Sequence, residues 1–145
     1  MINNFEAYQS PSMISEPLIR ESLQIFIKQT LDAFSTPDSN ASAYFSDPDI
    51  VISGSGLDEY FIGPEAAQSG IKWVTTLGIR WDPQLVVSWM HGDIAWAQIR
   101  INGHKMEDGV PAIIPYVATG IFRRSGESWT WLYWGGSEPQ KEPRL

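Results

Sequence analysis

Apolar residues recur at three- and four-residue steps from Ile19 through Leu23, Phe26, Ile27 and Leu31 to Phe34, the stripe of an amphipathic helix. Ser15 stands where it can cap that helix, Pro17 is tolerated in the first turn, and Thr36-Pro37 ends it. Ala41 to Phe45 suits one further helical turn before Asp47-Pro48. The period then changes. "DIVISGSGLDEYFIG" reads as two short strands joined by a glycine-rich turn. Gly63-Pro64-Glu65 opens a second helix, with proline early and an acid near the positive dipole end, running to about Leu77. From Trp81 onward the pattern is all strand. "QLVVSWM" and "IAWAQIRIN" flank a tight hairpin at His91-Gly92-Asp93. A loop through "GHKMEDGVP" leads to "AIIPYVATGIFRR", and Ser125-Gly126-Glu127 turns into "WTWLYWGGSEP". Helices followed by an antiparallel meander predict one α+β domain over residues 15–140, with an N-terminal arm at 1–14 and a tail at 141–145.

Both faces of these strands are apolar. On the last, alternation sends Trp129, Trp131 and Tyr133 one way and Thr130, Leu132 and Trp134 the other. Helices cover only one face of a single sheet. The other is expected to bury against a second copy, giving a homodimer through an outer face that carries Trp129, Trp131 and Tyr133.

Composition narrows the partners. Hydrophobic residues make up 43% and charged ones 19%, ordinary for a folded domain. The formal charge is −7 with no basic run, which argues against nucleic acid and anionic membrane surfaces. Cysteine is absent, so disulfides, thiolate metal sites and cysteine nucleophiles are excluded. "MINNFEAYQSPSM" lacks a basic region and an apolar run, so no signal peptide is expected and the location implied is cytoplasmic. No apolar stretch approaches membrane-spanning length.

The order of these elements carries a family likeness. The helix, the "GSGLDEYFIG" hairpin leading to "PEAAQSGI", the "HGDIAWA" turn and "TGIFRRSGESWTWLYWGGSEP" together resemble the nuclear transport factor 2-like superfamily. Within it, they are similar to the SnoaL-like and ketosteroid-isomerase-like domains, over roughly residues 16–139. The resemblance implies a curved antiparallel sheet wrapped around the N-terminal helices, a conical cavity open at one end, and commonly a dimer. It also implies several activities, from isomerases, dehydratases and cyclases to non-catalytic modules, so the fold does not decide function.

Transferred residue by residue, the resemblance removes one chemistry. The acid and base positions of ketosteroid isomerases fall near Ile27, Ser53 and Gly120, none of which transfers a proton in that way. The histidine positions of many SnoaL-like relatives fall at Tyr133 and Gly135. Of the pocket arginines in kinase II association domains, Arg100 is matched, while Gly120 and Gly136 replace the others. Gly120 and Gly136 are then expected to leave space on the inner face.

If those glycines face inward, alternation brings Tyr116, Ala118, Phe122, Leu132 and Trp134 with them. A two-residue turn at Gly92-Asp93 pairs Trp89 with Trp96, Val87 with Gln98 and Leu85 with Arg100. The expected ligand-binding wall is Ser53, Trp89, Trp96, Gln98, Arg100, Tyr116 and Trp134. Tryptophans also serve as plain core, so a filled cone is the competing reading. Arg100 either grips a ligand carboxylate or reaches water at the hairpin's open end. The acids fall at turns, except Glu59, which suits an edge strand, and no carboxylate pair is evidently aimed inward. Tyr116 and His91 are the candidate proton carriers of an enzyme, His91 being otherwise a turn residue. His91 and His104, without acidic partners at ligand spacing, predict no metal site, and no cofactor fingerprint is present.

The leading expectation is a SnoaL-like domain whose cavity binds a small, mainly apolar ligand, with or without a carboxylate or carbonyl. Its competitors are a cofactor-independent lyase, isomerase or cyclase, and a non-catalytic dimerisation module.

Overall fold

The computed structural model describes residues 9–140. The proposed tail, 141–145, and the first eight residues of the proposed arm lie outside the described residues. Helix α1 spans Pro17–Phe34 and buries Leu23, Phe26, Ile27, Leu31 and Phe34, the stripe expected from its periodicity. Its cap is Glu16 rather than Ser15: the Glu16 carboxylate accepts from Leu18 N at 3.3 Å, ahead of Pro17 at the first turn. A 3-10 turn occupies Ala41–Phe45. Strands β1 (Val51–Ser53) and β2 (Tyr60–Ile62) precede helix α2 (Pro64–Thr75), which stops two residues short of the expected Leu77.

Four long strands follow: β3 (Arg80–His91), β4 (Ile94–Glu107), β5 (Val110–Ser125) and β6 (Ser128–Ser137). The expected loop through "GHKMEDGVP" is strand instead. Lys105 pairs with Ala112 and Glu107 with Val110, so β4 and β5 continue to a tight turn at Asp108-Gly109. The sheet order is β2-β1-β6-β5-β4-β3. Neighbours are antiparallel except β1 and β6, which run parallel, so the curved sheet is mixed rather than purely antiparallel. On the β3 edge, residues 12–14 of the arm are not loose. Ile14 N donates to Ser88 O at 3.1 Å and Met90 N to Ser12 O at 2.9 Å, covering the end of that edge around Trp89.

The core lies between α1, the 3-10 turn and the inner face of the sheet. Ala95, Ala97, Ile99 and Ile101 on β4 and Ala118 and Phe122 on β5 supply its floor. Small residues at 95 and 97 make room for large rings from elsewhere: Phe26, Phe34, Phe45, Phe122, Trp131 and Trp134 pack edge-on or stacked at 4.4–6.5 Å.

The last strand departs from simple alternation. Ile121 pairs with Tyr133 and Phe122 with Trp131, leaving Leu132 without a partner in a β-bulge. The extra residue turns Trp131 and Trp134 to the same side. Trp129 (6% exposed) and Trp131 (fully buried) therefore face α1: Trp129 Nε1 donates to Ser22 Oγ at 2.9 Å and Trp131 Nε1 to Thr30 Oγ1 at 3.0 Å. Of the three residues assigned to an outer dimer face, only Tyr133 lies there. The outer face is apolar all the same, with Leu85, Val87, Trp89, Trp96, Val117 and Ile121 along its long strands.

Candidate functional site

The aromatic core fills only part of the space under the sheet. Beyond Phe34 and Trp134, toward β2, α2 and the start of β3, a cavity of about 190 Å³ remains open. Its walls are mainly apolar: Phe34, Ile52, Phe61, Ile71, Val74, Leu77, Ile79, Trp81, Ile114, Tyr116 and Trp134 contribute side chains. Filled core and pocket are thus both present, one behind the other.

The polar groups gather around the Tyr116 hydroxyl. Trp134 Nε1 points its N–H at Tyr116 Oη across 3.4 Å, and the Trp81 ring packs edge-on against Tyr116 at 5.5 Å. Ser55, Glu59 and Glu138 complete the wall, with Ser55 Oγ donating to Glu138 Oε2 at 3.3 Å. The Glu59 carboxylate folds back over Gly54 and Gly56, where a Cβ at either position would overlap it. Trp81 Nε1 is buried without a hydrogen-bond partner, an N–H donor left unmatched beside the cavity.

Two glycines expected to open space are in fact occupied, each in its own way. A Cβ at Gly120 would sit 2.5 Å from Phe122 Cζ and 2.7 Å from Trp131 Cζ3, so its space belongs to the core. A Cβ at Gly136 would overlap the Tyr116 hydroxyl and sit 2.5 Å from Tyr116 Cζ. Gly136 is the seat of the phenol. Aromatic rings laid over glycines are a known way of covering bare backbone in a sheet.

Burial raises the Tyr116 phenol above its ordinary 10.0, and the charges of Glu59 and Glu138 act in the same direction. The hydrogen bond from Trp134 and the nearby Ser55 hydroxyl oppose the shift without cancelling it. The sign for stability follows. Above pH 10 the unfolded chain loses the phenol proton before the folded one does, so stability falls as pH rises through that range. Ultraviolet difference titration is expected to show one tyrosine ionising late, and Tyr116→Phe to remove that step and part of the alkaline loss of stability. A Tyr116→Phe profile identical to the parent's would contradict this placement.

A family model for the SnoaL-like domain matches residues 24–141. The chain belongs to the SnoaL-like domain family. Solved structures agree on the fold. A nuclear transport factor 2-like protein of unknown function from Pseudomonas putida KT2440 superposes with a TM-score of 0.69 at 17% identity, covering 83% of this chain and 87% of that one. A candidate dehydratase of the same superfamily from Streptomyces avermitilis gives 0.67 at 15%, covering 84% and 99%. A candidate ketosteroid isomerase from Parabacteroides distasonis gives 0.65 at 18%, covering 90% and 98%. No curated protein matches the sequence. At these identities the likeness fixes the architecture and leaves activity to the site.

In this SnoaL-like domain, Tyr116 and Trp134 lie where the sequence places them, in the cavity wall. Trp89, Trp96, Gln98 and Arg100 do not. The hairpin register is the expected one, Trp89 with Trp96, Val87 with Gln98 and Leu85 with Arg100, but that whole row faces outward. Their neighbours Ser88, Ala97 and Ile99 are the buried ones. Gln98 hydrogen-bonds Thr119 on the outer face, and Arg100 is exposed there. Ser53 also points outward, because the buried Ile52 takes the inner side of β1 against Trp134. His91 is exposed at the β3–β4 turn, paired with Ile94. The cavity begins seven residues along β4 at the Ile101–Tyr116 pair, roughly 23 Å away. Of the positions matched to ketosteroid isomerase acids and bases, Ile27 is core, Ser53 faces outward and Gly120 is covered by rings. Among the described residues no three His, Asp or Glu side chains gather as a metal site, and no helix is long and apolar enough to cross a membrane.

Ser55, Glu59, Trp81 and Glu138 are the site residues that sequence reasoning misses. Three of them sit in turns or at a strand end, where alternation gives no direction. Trp81 had a signal: on β3 it precedes Gly103 of β4 across the sheet, a bare position for a ring to cover.

Proposed function

We propose that this SnoaL-like domain binds a small, mainly apolar molecule between α2, β2 and the inner face of the sheet. The observation that carries the reading is the cavity itself: about 190 Å³, walled by aromatic and aliphatic side chains, with the Tyr116 hydroxyl as its buried polar handle. An apolar cavity of roughly 150 Å³ holds a benzene ring, so the space suits a single substituted ring or a short branched chain. Trp73 and Leu77, 52% and 39% exposed, stand at the rim and give an apolar molecule a graded entry. The apolar outer face supports pairing of two copies through Trp89, Trp96, Ile121 and Tyr133, away from the cavity.

Binding is tested by ligand-observed magnetic resonance against a panel of neutral single-ring compounds. Trp134→Ala removes a wall and is expected to weaken any hit by at least tenfold. Tyr116→Phe removes one hydrogen bond, worth about 1 kcal/mol, and is expected to weaken a hydroxyl-bearing hit about fivefold. Saturable binding indifferent to both substitutions would place the ligand elsewhere.

One observation favours catalysis as a second reading: the Tyr116 hydroxyl shares the cavity wall with the Glu59 carboxylate, whose charge acts on it, so a donor and an acceptor line one site. A cofactor-independent lyase, isomerase or cyclase acting on a small carbonyl compound would use Tyr116 to hold the developing oxyanion. Under that reading Tyr116→Phe abolishes turnover while His91→Ala leaves it unchanged; the reverse pattern would sink it.

A further inference from the structure

The charged groups of the cavity wall all carry one sign. Among the described residues it holds Glu59 and Glu138 and no lysine, arginine or histidine, and Arg100, the cation expected to grip a carboxylate, stands on the opposite face. The two acids line the same cavity as the Tyr116 hydroxyl. Glu138 shares Ser55 Oγ at 3.3 Å, whereas no described side chain donates to the Glu59 carboxylate. Glu59 is half-buried in the hairpin between β1 and β2 and cannot withdraw freely, since its carboxylate is lodged over the Gly54 and Gly56 backbone. Phe61, Trp81, Tyr116 and Trp134 line the same volume and supply no positive charge to offset the acids. An anionic group brought into this space would meet the half-buried Glu59 carboxylate, screened less than in open water, and the exposed Glu138 at its mouth, with no cation in the wall to compensate. A hydroxyl or ammonium would instead find an acceptor in Glu59, to which no described side chain donates.

We infer that the ligand of this cavity carries its polar end as an uncharged or cationic hydrogen-bond donor, a hydroxyl or an amine, and that the site rejects carboxylates of the same shape. This rests on the reading that the cavity binds small apolar molecules and adds the sign of the ligand's charge. It reverses the expectation of a carboxylate ligand that Arg100 suggested, for the physical reason that Arg100 and the cavity lie on opposite faces of β4.

The test uses three probes with one apolar body: 2-phenylethanol, phenethylamine and phenylacetate, measured by calorimetry or magnetic resonance on the full chain. The alcohol and the amine are expected to bind at least tenfold tighter than phenylacetate. Glu59→Gln with Glu138→Gln, which keeps shape and removes both charges, is expected to bring phenylacetate to within threefold of the alcohol. Glu138→Gln alone, at an exposed position, gives part of that change should the double variant fold poorly. The separate variant Lys141→Ala with Arg144→Ala, outside the described residues, is expected to leave the ranking as it is. Binding of phenylacetate equal to or tighter than the alcohol overturns the inference while leaving the cavity reading intact, as does discrimination that persists undiminished in both glutamine variants or disappears in the Lys141/Arg144 variant. Failure of all three probes to bind overturns the cavity reading and this inference with it. If the alcohol and amine differ, the tighter of the two names the donor.

Discussion

Replacing Trp131 by alanine is expected to lower the unfolding free energy by about 3–5 kcal/mol, a large share of the ~5–15 kcal/mol typical of a small domain. The indole is fully buried and meets Phe122 at 4.4 Å, Trp134 at 5.1 Å, Phe45 at 5.3 Å and Phe26 at 6.3 Å. Four rings would face the vacancy together. Rings are stiff, and a cluster that cannot collapse leaves most of the cavity open, which places the cost at the upper end of such substitutions. A polar loss adds to this. Trp131 Nε1 donates to Thr30 Oγ1, whose own hydroxyl donates to Phe26 O at 2.9 Å, so the substitution strips an acceptor role from a fully buried threonine. Leu132→Ala, one residue on in the bulge and only half-buried, is expected to cost less than about 1 kcal/mol. Urea unfolding midpoints of the two variants measure the contrast. A Trp131→Ala loss below about 1 kcal/mol would show that the aromatic cluster does not hold the sheet to α1.

Gly136→Ala is expected to abolish ligand binding while Gly135→Ala leaves it unchanged. The two glycines are neighbours on β6 with opposite faces. At Gly136 a methyl group overlaps the Tyr116 hydroxyl, and a phenol displaced toward the cavity it lines would take up the space proposed for a ligand. At Gly135 a methyl group would sit 2.7 Å from the Tyr133 hydroxyl and ring edge on the outer face, and displacing that ring disturbs nothing inside. Both variants carry similar overpacking strain, about 1–3 kcal/mol, so stability alone will not separate them. Binding will. Tyr116→Ala combined with Gly136→Ala should restore the lost stability in part, because the clash needs both partners. Equal effects of the two glycine substitutions on binding would mean that Tyr116 is not seated where it bounds the cavity.

Much of the scaffold is legible in the residues because local rules and packing agree there. The α1 stripe from Leu23 to Phe34, Pro64 opening α2, and the Gly92 and Gly126 turns each follow from periodicity or from a backbone that needs glycine. The β3–β4 register follows from turn length alone. What turn length cannot give is which row faces in. Trp89 and Trp96 are larger than Ala95 and Ala97 and invite the inward assignment, yet the inner row must leave room for Trp131 and Phe122. Small residues there are the mark of a crowded interior. The alternation in Ala97-Gln-Ile-Arg-Ile-Asn102 points the same way, with Gln98, Arg100 and Asn102 sharing the solvent side. Trp129 and Trp131 are misread for a different reason: nothing local announces an unpaired Leu132. Tyr116 is placed correctly because the β5 row has no such interruption, and Trp134 because it follows the bulge in frame with Gly136. Glu59 and Ser55 are missed because a turn's side chains take their direction from the partner it folds against, here Glu138 and the phenol.

Leu132 divides β6 into two reading frames. Before it, odd positions serve the interior, Trp129 and Trp131; after it, even positions do, Trp134 and Gly136. The first frame holds the sheet to α1 and the second shapes the cavity, so a single residue of length separates the part of the strand that fixes the fold from the part that meets a ligand. Deleting Leu132 would merge the two frames into one uninterrupted alternation, in which Trp131, Trp134 and Gly136 keep their inward side, whereas adding a second residue there would carry Trp134 and the seat of Tyr116 to the outside. Comparisons between relatives that count by twos along this strand will therefore exchange wall for surface unless they restart the count at the bulge.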